Sequence, residues 1–117
     1  MSEDKYRAAL DAAAKQLSYR ALSAKMLRDK LLAKGHDEEA ADYALAWLTE
    51  RRLLDDAAYA ESVVRGYTRK GYGEIRIRQE LGRRGVDRET AEAAMKQFSP
   101  DRAQLHALLD KRLRGDV

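Results

Sequence analysis

The sequence predicts an all-α chain of tandem three-helix repeats that form an elongated, curved helical array. Three observations lead there. Apolar residues recur at three- and four-residue spacing, as in Ala41, Ala44, Leu45 and Leu48, and no useful stretch alternates with strand period. Glycines and short polar or acidic residues punctuate the chain where helices stop and restart. The chain also matches itself when it is shifted by fifty residues.

The elements follow in order. A first helix runs from about Asp4 to Tyr19. Ser23 caps a second, which stops at Gly35. Asp37 caps a third, which ends near Arg52. Asp55 caps a fourth, with Tyr59, Val63, Val64 and Tyr67 on one apolar stripe, and Gly71 and Gly73 break it. The fifth covers Glu74 to Arg84 and stops at Gly85. Asp87 caps the sixth, which ends near Phe98. Ser99 caps a seventh, with Pro100 in its first turn, where a missing N–H costs nothing.

The self-match gives these elements their grouping. LRDKLLAKGHDEEAADYAL from Leu27 lies over IRQELGRRGVDRETAEAAM from Ile77. Leu27 meets Ile77, Leu31 meets Leu81, Gly35 meets Gly85 and Asp37 meets Asp87. The glycines fall where a helix must end in a left-handed residue, and the aspartates where the next must be capped. Residues 1–54 are therefore one three-helix repeat and 55–98 a second. Residues 99–117 hold a single helix, the start of an incomplete third. Each repeat buries a small core and stacking buries the rest, which produces an extended binding surface.

Composition bounds the function classes. The chain has 117 residues, 37% of them charged, with one Pro and no Cys, so it offers neither a disulfide nor a thiolate metal site. No apolar run approaches the roughly eighteen residues of a membrane span. The opening MSEDKYRAAL has no signal-peptide core, so a cytoplasmic protein with no membrane partner is expected. The net charge of +3 is unevenly spread. Residues 1–35 carry eight Lys/Arg against four Asp/Glu, residues 36–62 two against eight, and residues 63–88 eight against three. Such asymmetry suits a surface that meets a nucleic acid or an acidic protein groove; helical proteins are also often charge-mottled with no such purpose.

No catalytic constellation is visible, so the chain is not expected to be an enzyme, and neither a cofactor nor a metal is expected. The only histidines are His36 and His106, and neither has a second His or Cys at ligand spacing. His36 aligns with Val86, which suggests a partly buried interhelix position. Asp37, Glu38 and Glu39 read as first-turn acids favoured by the helix dipole, as do Asp55 and Asp56. Gly71-Tyr72-Gly73 lacks the Lys-Ser/Thr ending of a phosphate loop and follows no strand, so it reads as a helix stop and start. Tyr59 and Tyr67 are expected in the core, Tyr72 exposed, and Trp47 packed at the edge of its stripe.

The functional candidate is RGYTRKGYGEIRIRQELGRRGVDR, from Arg65 to Arg88. With Ile77 and Leu81 facing inward, Arg76, Arg83 and Arg84 are expected to project outward. Arg69 and Lys70 end the fourth helix nearby. Arg-rich surfaces that contain Tyr often bind phosphates, carboxylates or protein partners. A solvated basic face with helix-dipole partners is the competing reading, and the residues alone leave both open.

The segment LLDDAAYAESVVRGYTRKGYGEIRIRQELGRRGVD resembles the signature region of the RecX family of RecA regulators. Its elements are Leu54-Asp55-Asp56, Tyr59-Ala60, Lys70-Gly71-Tyr72-Gly73, Ile77, Glu80-Leu81 and Gly85. Leu17-Ser18-Tyr19-Arg20-Ala21-Leu22-Ser23, Leu27, Lys30-Leu31 and Lys34-Gly35 resemble the family's usual opening. The likeness runs from about residue 10 to residue 98. It implies tandem three-helix repeats. It also implies binding to the RecA–DNA filament, within its helical groove, and modulation of RecA ATPase, strand exchange and coprotease activity, usually by inhibition, in recombination, DNA repair and the SOS response. The implied partners are the RecA filament and single- or double-stranded DNA, met by a monomer. Residues that match the family's basic patches are Lys30, Lys34, Arg65, Arg69, Lys70, Arg76, Arg83 and Arg84, with Tyr72 among them.

Family members usually complete a third repeat, where this chain has one further helix, and a shorter array should span fewer filament subunits. Two other readings compete. One is a helix-turn-helix module that binds DNA directly, against which the third helix is acidic where a recognition helix should be basic. The other is a generic helical scaffold for another protein.

Overall fold

The computed structural model describes residues 2–98, with side chains from Asp4 onward, together with Leu108 and Leu109. Six helices account for most of them: α1 Ser2–Tyr19, α2 Ala24–Ala33, α3 Glu38–Glu50, α4 Asp56–Arg69, α5 Glu74–Arg83 and α6 Arg88–Met95. Among the described residues there is no strand. The chain divides into two compact units, Met1–Asp56 and Ala57–Val117, so the division falls inside the first turn of α4. The seventh helix expected from the sequence lies outside the described residues, save that Leu108 and Leu109 are helical.

The fifty-residue repeat is visible in the element bounds. α2 and α5 begin and end fifty residues apart, α3 and α6 begin fifty apart, and α1 and α4 end fifty apart. Local chemistry explains this register. The Ser23 hydroxyl accepts from the Met26 N–H, the Asp37 carboxylate from Ala40 and the Asp87 carboxylate from Thr90, each satisfying a donor that the first helical turn leaves unpaired. The backbone N–H of Ala40, followed by the Lys5 ammonium, holds the Asp37 carboxyl below the usual aspartate range. At the other end, Gly35 and Gly85 adopt φ of +99° and +82°, the left-handed conformation that glycine reaches without strain. The next N–H in each case reaches back five residues, His36 to the Leu31 carbonyl at 3.1 Å and Val86 to the Leu81 carbonyl at 3.0 Å.

The same stop recurs after α3 with a residue poorly suited to it. Arg52 takes φ of +57°, and Leu53 N–H donates to the Leu48 carbonyl at 2.9 Å. α6 ends at Met95, earlier than the expected Phe98. Lys96, Gln97 and Phe98 instead bond to carbonyls three residues back, a tightened turn in place of continued helix.

In the first unit α1 packs closely along α3, and α2 packs on both. Small side chains permit this: Ala9, Ala13, Ala40, Ala41 and Ala44 are all buried at the contact, with Leu27, Leu31 and Leu48 filling the rest. The Asp56 carboxylate closes this unit by accepting the Ala24 N–H at 2.8 Å, a second role beyond that of a first-turn acid. In the second unit α5 packs on α6. Ile77 and Leu81 are as fully buried as their counterparts Leu27 and Leu31. Tyr59 and Val63 stand where the first repeat has Ala9 and Ala13, so α4 cannot approach α6 as α1 approaches α3. Tyr59 is buried as expected. Tyr67 is only half-buried, and Thr68 takes the inward position instead.

Equivalent ion pairs join the second and third helices of each repeat. Arg28 Nε donates to Asp42 Oδ1 at 2.8 Å, and Arg78, fifty residues on, donates to Glu92. His36 is partly buried, and Trp47 is half-buried with the Arg51 guanidinium 3.7 Å from its ring centroid.

Candidate functional site

The stop of α4 brings Tyr67 and Tyr72 together, with Lys70, Arg76 and Arg84 beside them. Gly71 adopts φ of +90°, and Tyr72 N–H donates back to the Tyr67 carbonyl at 3.0 Å. This geometry brings the side chain just past the helix end against one in its last turn. The Tyr67 and Tyr72 rings accordingly lie 5.1 Å apart, tilted by 36°. Cations surround the pair. Lys70 Nζ lies 5.4 Å from the Tyr67 ring centroid, and the guanidiniums of Arg84 and Arg76 lie 5.7 Å from Tyr67 and 5.2 Å from Tyr72. Such contacts are favourable because the ring face carries partial negative charge.

Beneath this face sits Glu80, a buried carboxylate only 5% exposed. It accepts from Arg83 Nε at 3.1 Å and from Arg84 Nε at 2.7 Å, with a further bond from Arg83 Nη2. Hydrogen bonds from Arg83 and then Arg84 outweigh the opposing effect of burial and pull its pKa down to about 2. Arg84 also donates to the Tyr59 hydroxyl at 2.9 Å and to the Tyr67 hydroxyl at 3.4 Å. Burial works against its charge, but the bonds to Glu80, Tyr59 and Tyr67 prevail and raise its pKa.

The expected site residues thus fall into distinct groups. Arg65, Arg69, Lys70 and Arg76 are exposed and take part in no ion pair among the described residues. Tyr72 is exposed, as the sequence suggests. Arg83 projects outward while still touching Glu80. Arg84 does not project outward as expected: at 30% side-chain exposure it folds back over Glu80, because a buried carboxylate and two phenol oxygens offer its planar fork three acceptors. Lys30, half-buried, and Lys34, exposed, lie at the end of α2 in the first unit, and the residues that cluster are all in the second.

Glu80, Tyr59 and Tyr67 are members of this cluster that the sequence reading does not place there. A signal is present, since Glu80 precedes Arg83 and Arg84 by three and four residues, the spacing at which helix side chains meet. Among the described residues no three His, Cys, Asp or Glu side chains stand together as a metal site, and no helix is long and apolar enough to cross a membrane. His106 lies outside the described residues.

Comparison with known proteins agrees with this architecture. Residues 9–48 match the family model of the RecX first three-helix domain, and residues 55–95 that of the second. A regulatory protein RecX of Stenotrophomonas maltophilia is 47% identical over 79 residues, which cover 68% of this chain and 48% of that protein. One of Escherichia coli is 41% identical over 106 residues, covering 82% of this chain and 64% of that protein. The aligned part thus spans about half to two thirds of these relatives. The crystal structure of RecX from Lactobacillus salivarius superposes with a TM-score of 0.82 at 27% identity, covering 89% of this chain and 68% of that one. A second crystal structure of regulatory protein RecX gives 0.83 at 28% identity, over 90% and 53% of the two chains. Two tandem three-helix domains, matched in order by both family models, place the chain in the RecX family of regulatory proteins.

Proposed function

We propose that the chain binds the RecA–DNA filament and lowers its DNA-dependent ATPase, and with it strand exchange and coprotease activity. The observation that carries this reading is the cationic and aromatic face of the second unit. Arg65, Arg69, Lys70 and Arg76 are exposed and find no carboxylate among the described residues, and Tyr72 lies exposed beneath the Arg76 guanidinium. Unpaired guanidiniums are suited to bidentate pairing with carboxylate or phosphate, which a RecA–DNA filament offers together. Regulatory proteins of the RecX family share the architecture, which supports the partner.

A helix-turn-helix reading of DNA is less well supported. The third helix of each unit would have to enter the major groove. In α3 that helix carries Glu38, Glu39 and Asp42, and in α6 Glu89 and Glu92, all exposed. Carboxylates there would face phosphates.

The test titrates the protein into RecA on single-stranded DNA, following ATP hydrolysis and co-sedimentation, with DNA alone and free RecA as controls. Hydrolysis should fall as the protein joins the filament. Unchanged hydrolysis at saturation, with no co-sedimentation in low salt, would refute the proposal. Binding to DNA alone, equal to binding to the filament, would favour a DNA-binding module instead.

A further inference from the structure

The two repeats serve as an internal control on the Glu80 network. The counterparts of Glu80, Arg84, Tyr59 and Tyr67 in the first unit are Lys30, Lys34, Ala9 and Leu17. That unit packs its three helices without any of the network, so the three-helix fold does not require it. In the second unit the network forms a continuous series of interactions from the interior to the surface. Glu80 accepts from Arg84, Arg84 donates to both phenol hydroxyls, the Tyr67 ring lies tilted against Tyr72, and Tyr72 carries Arg76.

Arg83 and Arg84 stand in opposite relations to this series. Arg83 keeps 73% of its side chain exposed, and its bonds to Glu80 use Nε and Nη2, leaving Nη1 for another acceptor. Arg84 uses all three of its nitrogens on Glu80, Tyr59 and Tyr67. At 30% side-chain exposure it is the more enclosed of the two, and turning Nη1 or Nη2 toward a partner would loosen its hold on the Tyr59 and Tyr67 hydroxyls.

We propose, resting on the filament reading above, that Glu80 and Arg84 are positioning residues which hold the Tyr72–Arg76 face in its binding geometry, while Arg83 meets the partner directly. Arg84 acts through Tyr67, fixing the ring on which Tyr72 rests. Ordering that face before binding removes a side-chain entropy cost from association.

The test uses the full chain and RecA filaments on single-stranded DNA. Affinity is measured over a range of salt for the wild type, Arg84→Gln, Arg83→Gln, Tyr72→Ala and the Arg84→Gln/Tyr72→Ala double variant. The Tyr72 ring resonances are followed by NMR without partner. Arg84→Gln should weaken binding roughly three- to tenfold, and the double variant should bind no more weakly than Tyr72→Ala alone, as expected of coupled residues. The Tyr72 ring should shift in Arg84→Gln, with the salt slope unchanged. Arg83→Gln should instead lower the salt slope and leave the Tyr72 ring in place. If Arg84→Gln unfolds the chain, Arg84→Lys, which keeps the charge but not the fork, takes its place with the same expectations. An unmoved Tyr72 ring, or losses that add in the double variant, would overturn the positioning role alone. Failure of the wild type to bind would overturn the filament reading.

Discussion

Tyr72 N–H donates to the Tyr67 carbonyl at 3.0 Å, and the rings of the same two residues lie 5.1 Å apart. One backbone bond thus draws the exposed Tyr72 ring against the half-buried Tyr67 ring. It depends on Gly71 at φ of +90°. Gly71→Ala should therefore destabilise the protein by about 1–2 kcal/mol, the cost of a left-handed conformation in an L-residue. It should also separate the two rings. Urea denaturation and the near-UV circular dichroism of the tyrosines check the two effects together.

Acid should expose the role of Glu80. Its folded-state pKa of about 2 lies below the ordinary glutamate value of 4.5, so its bonds to Arg83 and Arg84 stabilise the fold fully above that ordinary value. The contribution declines as pH falls from there through the folded pKa. Asp37 and Asp87, also held below the aspartate range by their cap bonds, decline in the same direction. Urea midpoints measured at neutral pH and at a strongly acidic pH should differ more for the wild type than for Glu80→Gln. An equal acid loss in both would show that the carboxylate contributes nothing.

Arg52 and Gly35 end successive helices in the same left-handed conformation, with φ of +57° and +99°. Exchange should have opposite signs at the two sites. Arg52→Gly relieves steric strain of about 1–2 kcal/mol against about 0.5–1 kcal/mol of added chain entropy, so it should stabilise by up to about 1.5 kcal/mol. Gly35→Ala meets no neighbouring atom within 4 Å, yet it should destabilise, because its cost lies in the backbone. Thermal midpoints of the two variants should move apart.

Leu31 and Leu81 occupy the same place in their repeats, and each is fully buried. Alanine at either should cost about 2–5 kcal/mol through lost burial and a residual cavity, and a cost under about 1 kcal/mol at one site would break the equivalence. Denaturation of both variants makes the comparison.

Charge reversal should separate binding from stability. Arg69 and Arg76 are exposed and pair with no carboxylate among the described residues, so Arg69→Glu with Arg76→Glu should lower the urea midpoint only slightly. A carboxylate is unfavourable in the last turn of α4 and the Arg76–Tyr72 contact is lost, while a carboxylate is favourable in the first turn of α5. Filament affinity should fall, and its salt slope should drop by about one log unit for each phosphate that is no longer neutralised. Arg83→Glu with Arg84→Glu should lose stability as well as binding, since it sets carboxylates beside the buried Glu80.

Features governed by chemistry within four or five positions of the chain can be read from the letters alone. Ser23, Asp37 and Asp87 cap the helices they precede, Gly35, Gly71 and Gly85 end the helices they follow, and the fifty-residue offset carries the buried pairs Leu27/Ile77 and Leu31/Leu81. Caps and left-handed stops are local, so sequence position is sufficient to locate them. The basic residues are legible in the same way, but their roles are not. Whether an arginine faces a partner or its own protein depends on how one helix is rotated against the next, and on which acceptor that rotation buries. Tertiary packing places the Tyr59 and Tyr67 hydroxyls within reach of Arg84, draws Asp56 to the Ala24 N–H, and pairs Arg28 with Asp42 and Arg78 with Glu92. Those bonds join residues 14 to 32 positions apart, and only the folded backbone brings their polar atoms within hydrogen-bonding distance.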